Sequence, residues 1–124
     1  MNFYFVAAAV LVVGIGIAHS SLGERYILTR LFRRQNMPHL FGSDDFTKRT
    51  LRFAWHITTV AWFGAAACLL ILASYPIDVY ARMFSRVIAA TFLVSSIVAL
   101  VGSRARHLSW VIFLLIAVLV WMGI

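Results

Sequence analysis

Four long apolar runs fill most of this 124-residue chain, and no soluble fold can hide them. A soluble domain carries roughly 45–50% hydrophobic and about 25% charged residues, whereas here the shares are 63% and 12%. Backbone amides in hydrocarbon must bond within their own segment, so apolar runs of this length imply helices and exclude a barrel of short alternating strands. The expected fold is all-α: an integral membrane, four-transmembrane-helix up-and-down bundle plus one interfacial amphipathic helix, forming a single membrane domain over residues 1–124. The expected spans are 3–20, 51–74, 80–102 and 107–124. The fourth is short and must stand nearly upright to cross. The start, Met1-Asn2-Phe3-Tyr4-Phe5, lacks the Lys or Arg of a signal-peptide n-region, so the first run is expected to remain as a span.

The basic residues fix an expected orientation. Arg25, Arg30, Arg33, Arg34, Lys48, Arg49 and Arg52 lie between or at the edge of the first two spans, and Arg104 and Arg106 precede the fourth. Arg82 and Arg86 alone fall on the opposite side. Both termini should face outward from a bacterial-type inner (plasma) membrane, with the 21–50 loop cytoplasmic. The net charge of +7 is then a matter of topology and anionic headgroups, and it implies no nucleic-acid partner.

The loop has its own pattern. Ser21-Leu22-Gly23-Glu24 matches the capping box, in which a new helix starts and the Ser and Glu side chains satisfy each other's backbone amides. Leu22, Tyr26, Ile27 and Leu31 recur near helical spacing with four arginines interleaved, which predicts a basic amphipathic helix over 22–34 in the headgroup layer. Pro38 and Gly42 mark a loop, Ser43 or Asp44 can cap the second span, Pro76 ends it, and Asp78 can cap the third. Small residues at Gly14 and Ala18, at Ala61, Ala65 and Cys68, and at Ser95 and Ala99 are expected at helix contacts. Cys68 is the only cysteine, which excludes an intramolecular disulfide and CxxC redox chemistry.

Chemistry, if any, rests on histidines. This topology brings His19, His39, His56 and His107 to one side of the membrane. His19 and His56 on neighbouring helices are candidate axial ligands for haem b, with Arg49, Arg52, Arg104 and Arg106 as contacts for propionates or lipid phosphates. The alternative set for a metal ion is His19, His56, His107 and Glu24. The bland reading, histidines bonded to water, headgroups or nearby hydroxyls, outweighs both. Asp78, Arg82 and Arg86 form a ladder of charges along one helix side, from which an arginine can snorkel outward. Trp62 falls near mid-membrane and is expected to pack, with Thr58 or Thr59 in reach of its indole. No span contains Asp or Glu, and there is no phosphate loop or nucleophile elbow, which argues against a carboxylate-coupled carrier, an ATPase or a common hydrolase.

The expectation that follows is a small inner-membrane accessory, assembly or lipid-interacting protein without enzymatic activity of its own. Its partners would be a bilayer with anionic headgroups and a larger membrane complex or a homo-oligomer. The alternatives are a haem- or metal-binding membrane protein and an oligomeric channel or carrier for small solutes or ions.

Overall fold

A computed structural model describes residues 1–124, and it is helical with no strand. α1 spans Phe3–Leu22 and passes without a break into a π-helical segment, Gly23–Leu28, and a short α2, Thr29–Leu31. α3 (Asp45–Ser74), α4 (Val79–Gly102) and α5 (Ser109–Met122) follow. The three long rods, Phe3–Leu31, Asp45–Ser74 and Val79–Gly102, are long and apolar enough to cross a membrane. α5 has 14 residues and covers only about 21 Å at 1.5 Å per residue.

Side chains cap the starts of α1, α3 and α4. Asn2 Oδ1 accepts from the amides of Tyr4 (3.1 Å) and Phe5 (3.4 Å), which starts α1. Ser43 Oγ accepts from the Asp45 amide at 3.3 Å, and Lys48 reaches back one turn to Asp44 at 2.6 Å. The Lys48 ammonium holds the Asp44 carboxyl below its usual range. Pro76 lies just beyond α3, and Asp78 Oδ1 accepts from the Ala81 amide at 2.7 Å to begin α4, as expected. α4 ends in a Schellman turn: the Ala105 amide donates to Leu100 O (2.8 Å) and the Arg104 amide to Val101 O (3.1 Å). Arg104 (φ 51°) and Ala105 (φ 62°) there take left-handed conformations that glycine usually supplies.

The capping box at Ser21 does not form. Leu22, which should lie just inside a new helix, continues the old one with φ −73° and ψ −36°. Glu24 turns its carboxylate to Arg52 and His56 on α3, away from the Ser21 amide. Ion pairing across helices has replaced local capping, so no break occurs. The amphipathic segment is therefore an extension of α1 that ends at Leu31, with Arg33 and Arg34 in the turn beyond.

The chain divides into two compact units. The first comprises Met1–Ile15 and Phe63–Ile124. Within it α4 and α5 pack as antiparallel neighbours: Phe92 meets Phe113 at 6.1 Å between ring centroids, and Ser96 Oγ donates to Trp110 O at 2.7 Å. The Asn2 amide donates to Ala73 O (2.8 Å), Asn2 Nδ2 donates to Gly123 O (2.8 Å), and Phe5 lies against Gly123. Its buried alanines and serines are Ala8, Ala9, Ala66, Ala73, Ser85, Ala89, Ser96 and Ala117. Gly14 and Ala61, two of the expected contact positions, are exposed instead. Spacing identifies a small-residue stripe but not which stripe faces a neighbour.

The second unit is Gly16–Trp62. Its loop closes with a tight turn in which Leu40 and Ser43 bond each other's backbones while Phe41 (φ 57°) and Gly42 (φ 89°) take positive φ. Thr47 Oγ1 donates to Pro38 O at 2.9 Å and Phe41 meets Phe46 edge-on, which ties the loop to the start of α3. In both units large apolar side chains are exposed along the helices, among them Val10, Ile17, Val60, Ile71, Val87 and Val98. A monomeric soluble protein rarely shows continuous apolar surface of that kind.

Candidate functional site

Two polar stripes, each at helical spacing, meet in the second unit. Gly16, Ser20 and Glu24 lie one turn apart on α1 and the π segment, and Arg52, His56 and Thr59 do the same on α3. They interlock as a ladder. Arg52 Nη2 approaches Glu24 Oε1 at 3.0 Å, and Arg52 Nε donates to Oε2 at 3.3 Å. His56 Nε2 lies 3.3 Å from the same Oε2. His56 Nδ1 meets Ser20 Oγ at 2.9 Å, Ser20 Oγ meets Thr59 Oγ1 at 2.8 Å, and the Thr59 hydroxyl donates to Gly16 O at 3.4 Å. Exposure falls along this line, from Arg52 (side chain 50% exposed) to the buried Thr59.

A second set of contacts locks the register. The His19 and Trp55 rings stack with centroids 4.6 Å apart and planes 2° from parallel, and Trp62 meets His19 edge-on at 5.0 Å. Trp55 Nε1 donates to His19 O at 3.0 Å, and His19 Nε2 donates to Trp55 O at 3.3 Å. The Trp55 indole can lie there because residue 23 is glycine: a Cβ at Gly23 would run into the ring. The π segment begins at this same glycine. Each π turn carries an extra residue and leaves a helical carbonyl in need of a donor. The indole N–H donates to His19 O, one turn before this segment.

The ladder can carry a proton in either of two polarities. With Glu24 ionised, the Nε2–H of neutral His56 donates to it, and the Ser20 hydroxyl must donate to Nδ1. With His56 protonated, Nδ1–H donates to Ser20 and Ser20 to Thr59, so the Ser20 hydroxyl reverses while Thr59 still donates to Gly16 O. The order Glu24, His56, Ser20 also resembles an acid, base and hydroxyl relay. Ser20 is interior to α1, however, where the surrounding amides are consumed by helical bonds and none is left to form an oxyanion hole.

Of the residues expected to hold a cofactor, the structure brings His56, Glu24 and Arg52 together. His56 uses both ring nitrogens within the ladder, and His19 is covered on one face by indole with Nε2 turned to a carbonyl. They are not presented as two free axial ligands, so the residues do not fit a haem. Nowhere do three or more His, Cys, Asp or Glu side chains converge as a metal-binding group, so the set His19, His56, His107 and Glu24 is not assembled. His107 is exposed in the first unit, where its Nδ1 accepts from the Ser109 amide at 3.2 Å and helps start α5. Arg49, Arg104 and Arg106 are exposed, as are Arg82, Arg86 and His39. Ser20, Thr59 and Gly23 were not singled out as site residues from the sequence. The signal for the first two is the coincidence of two polar stripes at four-residue spacing.

Beside the ladder, Arg49, Arg52, Phe53, His56, Ile57 and Val60 line an open groove of about 520 Å³. Comparison with family models, curated proteins and solved structures finds no match to this chain.

Proposed function

We propose that the chain is a multi-pass protein of a bacterial-type inner membrane that works as a non-enzymatic accessory or assembly protein engaging anionic headgroups. In this reading α5, extended by its flanking residues, makes a fourth crossing beside the three long helices. The four cross in up-and-down order, and residues 22–34, where the rod continuous with α1 leaves the bilayer, meet the cytoplasmic headgroups.

One observation carries the reading. On the rod continuous with α1, exposed Arg25 and Arg30 alternate with exposed Leu22, Tyr26 and Ile27, and exposed Arg33 and Arg34 follow. The Arg25 and Arg30 guanidiniums lie 5.4 and 5.6 Å from the Tyr26 ring centroid, which groups cation and aromatic as an interface anchor does. Each basic residue near an anionic leaflet contributes about 1 kcal/mol. Four arginines therefore suffice for strong preference, and they leave a cationic surface on which an acidic membrane partner can dock.

The test uses the full chain reconstituted in phosphatidylcholine, with spin-labelled phosphatidylglycerol and phosphatidylcholine as probes. The expected result is selectivity for phosphatidylglycerol that fades as salt shortens the Debye length, and that drops sharply when Arg25, Arg30, Arg33 and Arg34 are changed to Gln. Equal association of the two probes at low salt refutes the proposal.

A further inference from the structure

Resting on the membrane reading above, we infer that the groove along α3 holds a single anionic glycerophospholipid, its phosphate at Arg49 and Arg52 and one acyl chain along Phe53, Ile57 and Val60. Arg49 and Arg52 stand at one end of the groove, and its lining surface is almost wholly apolar. Val60 lies eleven residues beyond Arg49, or about 16 Å along the helix, close to half of the roughly 30 Å hydrocarbon core. The groove therefore has the length of one leaflet, with cations at one end.

Charge selects the headgroup. Of the carboxylates at this end, Glu24 is shared between Arg52 and His56, and Asp44 is paired with Lys48. Arg49 makes no ion pair, although Asp45 lies one turn before it, so its exposed guanidinium is available to a phosphate. A zwitterionic lipid brings its own cation into this site, whereas phosphatidylglycerol brings an uncompensated phosphodiester. Glu24 holds Arg52 against the ladder, so its guanidinium is in place before the lipid arrives and loses little freedom on binding. The apolar wall is open: Phe53, Ile57 and Val60 are 58%, 60% and 66% exposed.

Native mass spectrometry of the full chain, extracted from a bilayer of phosphatidylcholine and phosphatidylglycerol and washed in detergent, tests the site. One phosphatidylglycerol per chain is expected to survive the wash. Val60→Trp, which fills the groove from an exposed position, should remove it, and Arg49→Gln should lower its retention about fivefold. Both positions lie outside the ladder, so helicity by circular dichroism should not change. The variant lacking Arg25, Arg30, Arg33 and Arg34 should keep the bound lipid while losing the diffuse selectivity measured with spin labels, which separates failure of the groove from failure of the basic segment. Absence of any retained lipid, equal retention of phosphatidylcholine, or indifference to Val60→Trp overturns the inference.

Discussion

Gly23→Ala tests the contact that sets the register between α1 and α3, because two effects of opposite sign compete there. Alanine is intrinsically the better helix former by about 0.8–1.0 kcal/mol, so a Gly23 that merely sat on a helix would become more stable on substitution. The added Cβ, however, collides with the Trp55 indole. Overpacking of this kind costs about 1–3 kcal/mol. Displacing the ring also stretches its 3.0 Å bond to His19 O, worth about 1 kcal/mol, and disturbs the 4.6 Å stack on His19. The net expectation is destabilisation by about 1–3 kcal/mol. It should be measured by reversible unfolding in mixed micelles, followed by circular dichroism and tryptophan fluorescence. The second arm is decisive: in a Trp55→Ala background the collision is gone, and Gly23→Ala should be neutral or stabilising. If Gly23→Ala stabilises the otherwise native chain, Trp55 does not occupy that position and the reasoning fails.

Other positions give equally direct outcomes. Arg104→Gly should stabilise by about 0.5–1 kcal/mol in the same unfolding assay, because residue 104 is the left-handed position of a Schellman turn and a Cβ is strained there. Asn2→Ala removes both the cap of α1 and the bond to Gly123 O, and should cost about 1–2 kcal/mol in that assay. Asp44 has a folded-state pKa depressed by Lys48, so its contribution is present above the unfolded carboxylate value near 3.8 and is lost as pH falls through the lower folded value. A titration of stability below pH 5 should therefore show a slope that Asp44→Asn or Lys48→Met reduces.

Several features were legible because a short stretch of chain decides them. Apolar runs gave the helices, Pro76 and Asp78 gave the boundary between α3 and α4, and Gly42 gave the loop turn. The capping box misled because its Glu24 has a stronger use 28 residues away at Arg52, which no local pattern reveals. The π segment compounds this. One inserted residue turns every later side chain by about 100°, so face assignments made on 3.6-residue periodicity drift beyond Gly23. For the same reason small-residue spacing does not separate exposed Gly14 and Ala61 from buried Ala8, Ala9 and Ala66. The sequence marks the histidines as polar groups in need of partners, but spacing does not show that His56 finds Ser20 and Glu24 while His19 finds two indoles.

The arrangement of arginines about the bilayer is the premise of the proposed role, and labelling of single cysteines in a Cys68→Ala background measures it most directly. In intact bacterial cells, Asn36→Cys and Arg106→Cys should both resist a membrane-impermeant maleimide and react only after permeabilisation, while Tyr75→Cys should react from outside. Labelling of Asn36→Cys and Arg106→Cys from opposite sides, or of Asn36→Cys and Tyr75→Cys from the same side, contradicts the account.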